Sequence, residues 1–515
     1  MQSDFPADAP TRALWRSMAL VIILTVITAC FSDLYYFPDE HYQILEFMSL
    51  KLGLVTPADL PWEYTAHIRP WTQPLLYYLI AKPLLLAGIK DMFFVTFVLR
   101  LATGLISVTA LALFARELLP SIKGEDEKLA FARYLPFFGF LPYLFVRTSS
   151  ETLSAAFFTL SLALVLRGRS SSRLFWAGIL GGLAFDCRYQ SAFLIIGLFA
   201  WLAVIERVRL KGLTVIAAAI ALSVLAGTGA DRWGYGVWNL TPWLYFKANI
   251  LDSVAARAFG TAPFFAYFYL EPAQFFALIT ALLMAAMVVM WLRNPRHALT
   301  WVTLPFFIIN MAVAHKEPRF LFPLALLATA FPVLAFSPQI ARWHPFAARV
   351  WAWRRSGLAK FATLVSVLVM LFLAVYPFGF RPHMPMARYV YRNFPDGLAA
   401  YSLDKTPFES YPMYRPPGTR IESLATKTQL QSLLGKGPVY FFAGRPSLPP
   451  ALLPAGARAQ VIYSEFPLEA LGYGEMGTRY LDRFAKFSAW AGFLKLPPLD
   501  WVTLYRIERA AATRS

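Results

Sequence analysis

Residues 14–31 read LWRSMALVIILTVITACF, a mostly apolar run that carries one charge, Arg16. A helix needs roughly 20 such residues to cross the hydrocarbon core of a bilayer. Further apolar runs of about that length recur as far as Phe380. Because lipid offers the backbone no hydrogen-bond partner, these runs predict helices, and the chain is predicted to be an all-α polytopic membrane protein.

The composition agrees with a bilayer as the main solvent, since 58% of the 515 residues are hydrophobic and 15% are charged. The chain has 48 Lys and Arg against 30 Asp and Glu, a formal charge of +18. The basic residues cluster in short loops between apolar runs, which indicates membrane topology rather than nucleic-acid binding as the cause of the charge. The two cysteines, Cys30 and Cys187, predict neither a disulfide framework nor a thiolate metal site.

Charge in the loops also predicts the orientation of the chain. The first apolar run follows Arg12 and lacks a small-residue cleavage site, so it is interpreted as a retained anchor. Loops rich in Lys and Arg tend to stay in the cytoplasm, and four of them fix the frame: 167–173, 206–211, 293–297 and 342–360. The opposite, external face then carries the segments 147–151, 186–190, 231–269 and 315–319.

Residues 32–92 are predicted to form a large first external loop. Two apolar stretches, 73–89 and 93–119, separate the external residues 32–72 from the loop 120–128, which the frame places inside. One of the two stretches therefore does not span. The first is short and contains Lys82 and Pro83, so we expect it to lie in the interface as a helix. About eleven spans result.

After Phe380 the hydropathy falls. Residues 439–443 and 461–463 have the pattern of short strands, and residues 427–434 that of a polar helix. Residues 1–380 are therefore predicted to form the transmembrane domain, and residues 381–515 a small external soluble α/β domain.

Two adjacent carboxylates, Asp39 and Glu40, lie a few residues beyond the first membrane helix. A carboxylate placed there can serve as a general base. The alternative is structural, because an Asp after Pro38 is a common helix cap and Glu40 suits a first helical turn. His41 has no second well-spaced histidine, so no zinc site is predicted.

A second charged cluster lies at the predicted outer mouth of two apolar helices. Arginine binds phosphate through a bidentate fork and lysine as a point charge. The alternative is a solvated loop whose cations bind lipid head groups. The cluster consists of His315, Lys316, Glu317 and Arg319, and further outer-face charges are Arg147, Glu151, Arg188 and Asp231, each of which taken singly is more typical of a structural residue.

These segments together resemble the family 22 glycosyltransferases, the dolichyl-phosphate-mannose-dependent mannosyltransferases of GPI-anchor and N-glycan precursor assembly. The family signature of His, Lys or Gln, Glu, any residue, Arg and Phe stands at 315–320, and its acidic pair with a downstream Gln and Glu stands at 39–46. Further matches keep the family's order at 62–64, 68–69, 147–148, 151–152, 188, 231–236, 245–249 and 259–260. The resemblance covers about residues 13–336 and is greatest to the GPI mannosyltransferases.

The chain departs from the family at two places. Arg69-Pro70 stands where an Arg-Ser pair is frequent, and Ala-Pro-Phe-Phe at 262–265 stands where His-Pro-Trp-His is frequent. Both bear on acceptor recognition. The compact chain, rich in Arg, Ala and Leu, indicates a bacterial inner membrane with the site facing the periplasm; the alternative is the endoplasmic reticulum membrane.

The resemblance implies the C-type (GT-C) membrane fold. It also implies an inverting transfer of a sugar, with mannose as the main candidate, from polyprenyl- or dolichyl-phosphate-mannose to a lipid-linked glycan or glycolipid on the non-cytoplasmic face. It implies Asp39 as the base, with Glu40 sharing that role or orienting Asp39. Donor phosphate binding falls to His315, Lys316, Arg319 and Arg188, with support from Glu317, Arg69, Arg147, Glu151 and Asp231. Neither a metal nor another cofactor is expected, and the partners are the two lipid-linked substrates and membrane lipids, without nucleic acid.

Other functions remain open at this point. One alternative is a transferase that uses a different sugar on polyprenyl phosphate. Another is a transporter or flippase for a polyprenyl-linked sugar, although inverted repeats and broken midplane helices, which are typical of transporters, are not evident in the sequence. A non-catalytic subunit of a glycan assembly complex is a third reading. The enzymatic interpretation requires that Asp39 and the segment 315–320 line one pocket.

Overall fold

The computed structural model describes residues 8–33, 35–274, 277–337, 349, 352–353, 355–375, 383–402, 406–408, 411–424, 426–444, 448, 453–465 and 502–509. The chain divides into two compact units, one of residues 1–90 and 94–378 and one of residues 91–93 and 379–515. Much of the predicted basic loop 342–360, and the predicted domain boundary at Phe380, lie outside the described residues. The functional assignment of residues 1–380 and 381–515 stays a prediction.

The described part of the chain is mostly helical. Its α-helices are α1 (Ala9–Phe31), α2 (Glu46–Leu52), α3 (Trp62–Thr65), α4 (Thr72–Leu86), α5 (Met92–Leu118), α6 (Glu125–Tyr134), α7 (Leu141–Phe145), α8 (Ser150–Arg167), α9 (Ser171–Cys187), α10 (Ala192–Val204), α11 (Leu210–Tyr235), α12 (Thr241–Phe246), α13 (Val254–Phe259), α14 (Tyr267–Gln274), α15 (Ala277–Arg293), α16 (Ala298–Ala312), α17 (Ala325–Ala328), α18 (Phe331–Phe336), α19 (Gly357–Val375), α20 (Met384–Asn393) and α21 (Lys427–Leu434). Wide π-helical turns occupy Glu40–Leu45 and Lys247–Leu251, and a 3₁₀ helix occupies Pro318–Leu324.

The predicted class of integral membrane protein is confirmed by the apolar helices. Within the described ranges, five helices are long and apolar enough to cross a bilayer: Ala9–Phe31, Met92–Ser121, Ser150–Arg167, Leu210–Tyr235 and Gly357–Val375. Shorter apolar helices cover Tyr189–Val204, Ile279–Arg293, Ala298–Ala312 and Pro318–Ala328. The count of eleven spans, and the interfacial position of α4 with its internal Pro83, stay predictions.

Helices α8, α9 and α11 form a closely packed layer. A Cβ atom added at Gly178 of α9 would lie 2.6 Å from the Cβ of Ala219 in α11, and one at Gly182 would lie 2.4 Å from that of Ser223. Small residues allow such close helix contact in membranes. Between α8 and α9, Ser161 Oγ donates to the Ala177 carbonyl at 2.7 Å. Close backbone contacts at the glycines and a side-chain hydrogen bond therefore hold the three helices in fixed positions relative to one another.

The first loop is folded against the end of α11. Trp71 is fully buried and packs with Phe47, Ala230 and Tyr235. Its ring lies on Gly234, where an added Cβ would come within 2.0 Å of the indole. Glycine is thus required at this position, because the tryptophan ring contacts the helix backbone directly.

The second unit contains a five-stranded mixed sheet. The strands are β1 (Ala399–Ser402), β2 (Arg420–Ser423), β3 (Val439–Ala443), β4 (Ala457–Ser464) and β5 (Thr503–Arg509), in the order β2-β1-β3-β5-β4. Strand β1 runs parallel to β2 and β3, whereas β5 is antiparallel to β3 and β4. The predicted strands at 439–443 and 461–463 and the predicted helix at 427–434 are confirmed. The external position of this α/β unit stays a prediction.

Candidate active site

Asp39 directly precedes the π-helical turn Glu40–Leu45. Its backbone is already helical, with φ −58° and ψ −30°, and its side chain makes no capping hydrogen bond. A capping residue has a non-helical backbone and an oxygen that accepts from the first turn. The alternative that Asp39 serves as a helix cap is therefore wrong, and its carboxylate has other partners.

Arg319 is the nearest of these partners. Its Nη1 lies 2.6 Å from Asp39 Oδ2, and its Nε donates to Glu317 Oε2 at 2.5 Å. The guanidinium group stacks over the ring of Phe37, with 4.8 Å between its central carbon and the ring centroid. Asp39 and the segment 315–320, distant in sequence, thus meet in one site, as the enzymatic interpretation requires.

Arg69 approaches Asp39 as well. Its Nη2 lies 3.7 Å from Asp39 Oδ2 and 3.4 Å from Glu63 Oε1. Glu63 Oε1 in turn accepts a hydrogen bond of 2.9 Å from Gln43 Nε2. The Asp39 carboxylate is therefore flanked by two guanidinium groups, and a polar chain leads away from it through Arg69.

The backbone around Arg69 is held by α11. The Tyr235 hydroxyl accepts from the Arg69 amide at 3.2 Å and donates to the Arg69 carbonyl at 2.8 Å. Asp231 Oδ1 accepts from the Trp71 amide at 2.8 Å. Asp231, predicted as a supporting residue, thus acts on the backbone of the first loop and makes no ion pair with the described arginines.

Arg188 and Arg319 share one carboxylate. Arg188 Nη1 lies 3.0 Å from Glu151 Oε1 and 3.3 Å from Ser150 Oγ. Arg319 Nη1 lies 3.8 Å from the same Glu151 oxygen. Glu151 is fully buried, so its charge is balanced by the two cations. An anion that reaches one of these guanidinium groups is within reach of the other.

His315 and Lys316 are both engaged with the backbone of the segment before α14. His315 Nδ1 lies 3.0 Å from the Gly260 carbonyl, and Nε2 lies 3.0 Å from Glu317 Oε1. Since both partners can only accept, both bonds form together only in the imidazolium form. Lys316 Nζ donates to the carbonyls of Ala262 at 3.0 Å and Val313 at 2.5 Å. The ammonium group has three donors, so one N–H remains beyond these two bonds for a phosphate.

Glu40 is buried and directed toward its own loop. Its Oε1 accepts from the amides of Tyr36 at 2.9 Å and Phe37 at 3.3 Å. Burial raises the pKa of Glu40 to about 7, although the charge of Arg147 and the two amide donors act to lower it. Arg147 is itself buried and stacks over the Tyr143 ring at 4.5 Å. The charge of Arg147 thus acts on Glu40.

The electrostatics of Asp39 are opposite to those of Glu40. Burial alone would raise its pKa, but the charges of Arg319 and Arg69, and the hydrogen bond from Arg319, lower it to about 2. Asp39 is therefore ionised at neutral pH. The two adjacent carboxyl groups consequently have widely separated pKa values.

Several residues of this site were not among the predicted site residues. Neutral polar side chains give no charge signal, so Gln190 and Ser150 were missed although they adjoin Arg188 and Glu151. Gln43, Glu63 and Tyr245 belonged to the quoted family matches, but no role was attached to them. Glu271 was missed because it lies just beyond the predicted external segment; it is buried and lines an apolar cavity of about 100 Å³ with Leu321 and Phe322.

In the part of the chain that the structure describes, no group of three or more His, Cys, Asp or Glu side chains is arranged to hold a metal ion. The negative charge of the Asp39 carboxylate is balanced by the guanidinium groups of Arg319 and Arg69.

Comparison with known proteins gives a family. The profile of the Alg9-like mannosyltransferase family matches residues 17–393. The GPI alpha-1,2-mannosyltransferase 3 of Xenopus laevis is 26% identical over 326 residues, which cover 60% of this chain and 57% of the relative. Mannosyltransferase APTG1 of Arabidopsis thaliana is 25% identical over 335 residues, covering 62% and 58% of the two chains. The chain thus spans less than two thirds of the length of these relatives.

A solved structure supports the fold. ArnT from Cupriavidus metallidurans, in its complex with undecaprenyl phosphate, superposes with a TM-score of 0.50 at 12% identity, and the match covers 97% of this chain and 98% of that protein. At this identity the likeness concerns the helical membrane fold alone.

Proposed function

The chain belongs to the Alg9-like mannosyltransferase family, and we propose that it transfers a mannosyl residue from a polyprenyl-phosphate carrier onto a lipid-linked glycan or glycolipid. One observation carries the proposal: an ionised carboxylate, Asp39, lies 2.6 Å from the buried guanidinium group of Arg319. A glycosyl transfer to a hydroxyl needs a proton acceptor next to a cation that holds the leaving phosphate.

The proposed reaction is a single displacement. Asp39 accepts the proton of an acceptor hydroxyl while that oxygen forms a bond to the anomeric carbon. The bond from this carbon to the phosphate oxygen breaks, and the electron pair leaves with the polyprenyl phosphate. The sugar passes through an oxocarbenium-like state and its anomeric configuration inverts. General-base assistance of this kind contributes roughly 10²–10⁴ in rate.

Arg319 and Arg188 are proposed to hold the donor phosphate. Both approach Glu151 Oε1, at 3.8 and 3.0 Å, so one phosphate can contact both. Guanidinium groups bind phosphate in a bidentate manner, and their charge stabilises the leaving group as negative charge develops. Lys316 is proposed to support them, because its ammonium group keeps a third N–H beyond its two carbonyl bonds, and His315 precedes it in the same segment.

Donor binding also changes Asp39 in this scheme. Its pKa of about 2 depends on Arg319, which makes the carboxylate a weak base in the unliganded protein. When the phosphate engages Arg319, the carboxylate loses part of that interaction, and its pKa rises toward the ordinary range. Glu40, which bonds the amides of Tyr36 and Phe37, is proposed to position Asp39 rather than to share the base role.

The site is proposed to face the periplasm of a bacterial inner membrane, with the lumen of the endoplasmic reticulum as the alternative. Mannose is proposed over other polyprenyl-linked sugars because the family is named for mannosyl transfer.

The test is transfer by the purified protein in detergent, without sealed vesicles. Radiolabelled polyprenyl-phosphate mannose is supplied with a lipid-linked glycan extract, and the products are separated by chromatography. We expect label in a larger glycan or glycolipid from which mild acid releases no free mannose, since a glycosidic bond has replaced the acid-labile sugar phosphate. A transporter forms no product under these conditions, so intact donor after complete incubation would reject the proposal. Polyprenyl-phosphate glucose, supplied in parallel, tests the identity of the sugar.

A further inference from the structure

Glu271 is a buried acidic residue that the reaction scheme above does not use. It lies in α14 and its exposed fraction is 7%. Its Oε1 atom has no hydrogen-bond partner among the described residues, and no cation of the described chain pairs with its charge. Buried polar atoms are nearly always hydrogen-bonded, so an unpartnered one points to a ligand that supplies the missing bond.

The surroundings of Glu271 favour the uncharged carboxylic acid. A carboxylate without a cation costs far more to bury than the neutral acid, and such a group takes up a proton instead of staying ionised. The neutral acid carries an O–H group, so it can donate a hydrogen bond, which a carboxylate cannot. The strongest partner for such a donor is an anionic oxygen, because a charged acceptor shortens and strengthens the bond.

Glu271 lines an apolar cavity of about 100 Å³. Apart from Glu271 and Thr280, the lining side chains are apolar, among them Leu283, Leu321 and Phe322. About 10–15 Å³ of this kind of volume already holds a water molecule, so the cavity has room for several carbon atoms of a ligand. The walls fit an apolar chain, and Glu271 fits a hydrogen-bond acceptor at the end of that chain.

The cavity adjoins the residues proposed to hold the donor phosphate. Leu321 and Phe322 follow Arg319 in the 3₁₀ helix Pro318–Leu324, against which α14 packs. Phe322 also contacts the first loop, since its ring centroid lies 5.9 Å from that of Tyr36. A ligand in this cavity is therefore next to the turn that carries Arg319.

Tyr267 connects Glu271 with the other arginine of the site. Its side chain is fully buried. Burial raises the pKa of Tyr267, and the charges of Arg188 and Glu317 act on this pKa in opposite directions. The hydroxyl group thus lies within the electrostatic reach of both residues. Glu271 stands four residues further along α14, on the same face of the helix, so its carboxyl group is directed toward the same region.

We propose that Glu271, as an uncharged carboxylic acid, donates a hydrogen bond from this cavity to a non-bridging oxygen of the donor phosphate. The inference rests on the proposed function. The phosphate is a diester, and its negative charge grows as the bond to the mannosyl carbon breaks. An uncharged donor stabilises this growing charge without forming an ion pair with Asp39 or Glu151, as a further cation would. Glu271 keeps its proton throughout the reaction.

The test compares Glu271→Gln and Glu271→Leu with the wild type in nanodiscs. Glutamine keeps a hydrogen-bond donor in this place, whereas leucine has none. The Kd of polyprenyl-phosphate mannose, measured by filter binding, should rise about tenfold in Glu271→Leu and less than threefold in Glu271→Gln, because only leucine removes the bond to the charged phosphate. Glu422→Gln makes the same change at an exposed glutamate of the second unit and should leave the Kd unchanged.

Thermal unfolding separates this role from a structural one. Leucine replaces a buried polar group that has no partner, so the melting temperature of the unliganded Glu271→Leu protein should equal or exceed that of the wild type. A residue that only supports the fold would lower the melting temperature and the donor affinity together. Glu271→Met provides the same comparison if Glu271→Leu does not fold.

Sulfur substitution in the donor tests the contact itself. The two diastereomers of polyprenyl-phosphorothioate mannose carry sulfur at different non-bridging positions, and sulfur is the weaker acceptor. One diastereomer should bind the wild type about tenfold more weakly than the oxygen compound, and this difference should disappear in Glu271→Leu. The other diastereomer should show the same ratio in both proteins.

Equal donor Kd values in the wild type and Glu271→Leu, or the same sulfur effects in both proteins, overturn the inference. So does a glutamine variant that binds the donor as weakly as the leucine variant. Transfer by the wild type in these cases still supports the proposed function. A wild type that forms no product, but binds the donor with the expected dependence on Glu271, counts against the proposed function alone.

Discussion

Replacing Asp39 by asparagine separates the two roles that the structure gives this side chain. The substitution keeps the shape of the residue but removes the negative charge that faces Arg319 at 2.6 Å and Arg69 at 3.7 Å. Arg319 keeps Glu317 at 2.5 Å and Glu151 at 3.8 Å, so the guanidinium group is not left without a carboxylate. We therefore expect Asp39→Asn to fold and to insert into the membrane.

The magnitudes follow from the site. Loss of the base should lower kcat by about 10²–10⁴. The pKa of Asp39 falls from an ordinary 3.8 to about 2, which corresponds to about 2 kcal/mol of net stabilisation of the charged form by its surroundings. A donor phosphate that takes over Arg319 must replace part of this interaction. Without the carboxylate this competition disappears, so the donor should bind Asp39→Asn as well as the wild type or up to about tenfold more tightly.

The assay is single-turnover transfer in nanodiscs with labelled donor, combined with a filter-binding measurement of the donor Kd. Asp252→Asn, at an exposed aspartate, is the matched control and should behave as the wild type. A kcat within threefold of the wild type would refute the assignment of the base. Donor binding that weakens in proportion to kcat would refute the opposed roles of Asp39 and the phosphate.

Three further substitutions test other parts of the site. Arg319→Ala should raise the donor KM by roughly 10–100-fold, because a charge-assisted bond to the phosphate is lost. The acceptor KM should change less than threefold. Steady-state kinetics with each substrate varied in turn measure both values, and equal effects on the two substrates reject the phosphate role of Arg319. Glu40→Gln should stabilise the protein at pH 8 by up to about 3 kcal/mol, with no gain at pH 4. The pKa of Glu40 is about 7 in the folded protein and 4.5 in the unfolded chain, so the wild-type protein loses stability as the pH rises between these values. A melting-temperature difference between variant and wild type that does not depend on pH contradicts this reasoning. Gly234→Ala should lower the stability measured by thermal unfolding by about 1–3 kcal/mol, since the added Cβ would lie 2.0 Å from the Trp71 ring of the first loop. Gly229→Ala in the same helix is the control. No atom lies within 4 Å of its added Cβ, so this variant should be neutral or slightly stabilised.

The membrane helices and the short elements of the second unit could be predicted from local pattern. Apolar runs of bilayer length define helices such as Ala9–Phe31 without any tertiary information. The strand Val439–Ala443 and the helix Lys427–Leu434 were likewise predicted with their observed bounds. These features depend on residues that are close in sequence, and periodicity reports them directly.

The arrangement within the site depends on distant contacts and was predicted only in part. The family resemblance placed Asp39 and Arg319 in one pocket, but it did not indicate that they form an ion pair. The capping interpretation of Asp39 failed because local propensity takes no account of a guanidinium group supplied by another part of the chain. The bond from Lys316 Nζ to the Ala262 carbonyl was not predicted, because no local pattern connects these two segments of the chain. Phosphate binding by Lys316 stays a prediction.

The ion pair between Glu151 and Arg188 depends on the matched lengths of helices α8 and α9. Helix α8 has 18 residues and begins one residue before Glu151, and the antiparallel α9 has 17 residues and ends one residue before Arg188. At 1.5 Å of rise per residue the chain descends about 27 Å and climbs back about 26 Å, so it returns to the level at which it started. Inserting a single residue into either helix would displace one member of the pair by about 1.5 Å and swing it through about 100°. Insertions and deletions in these two helices should therefore be tolerated only in compensating sets.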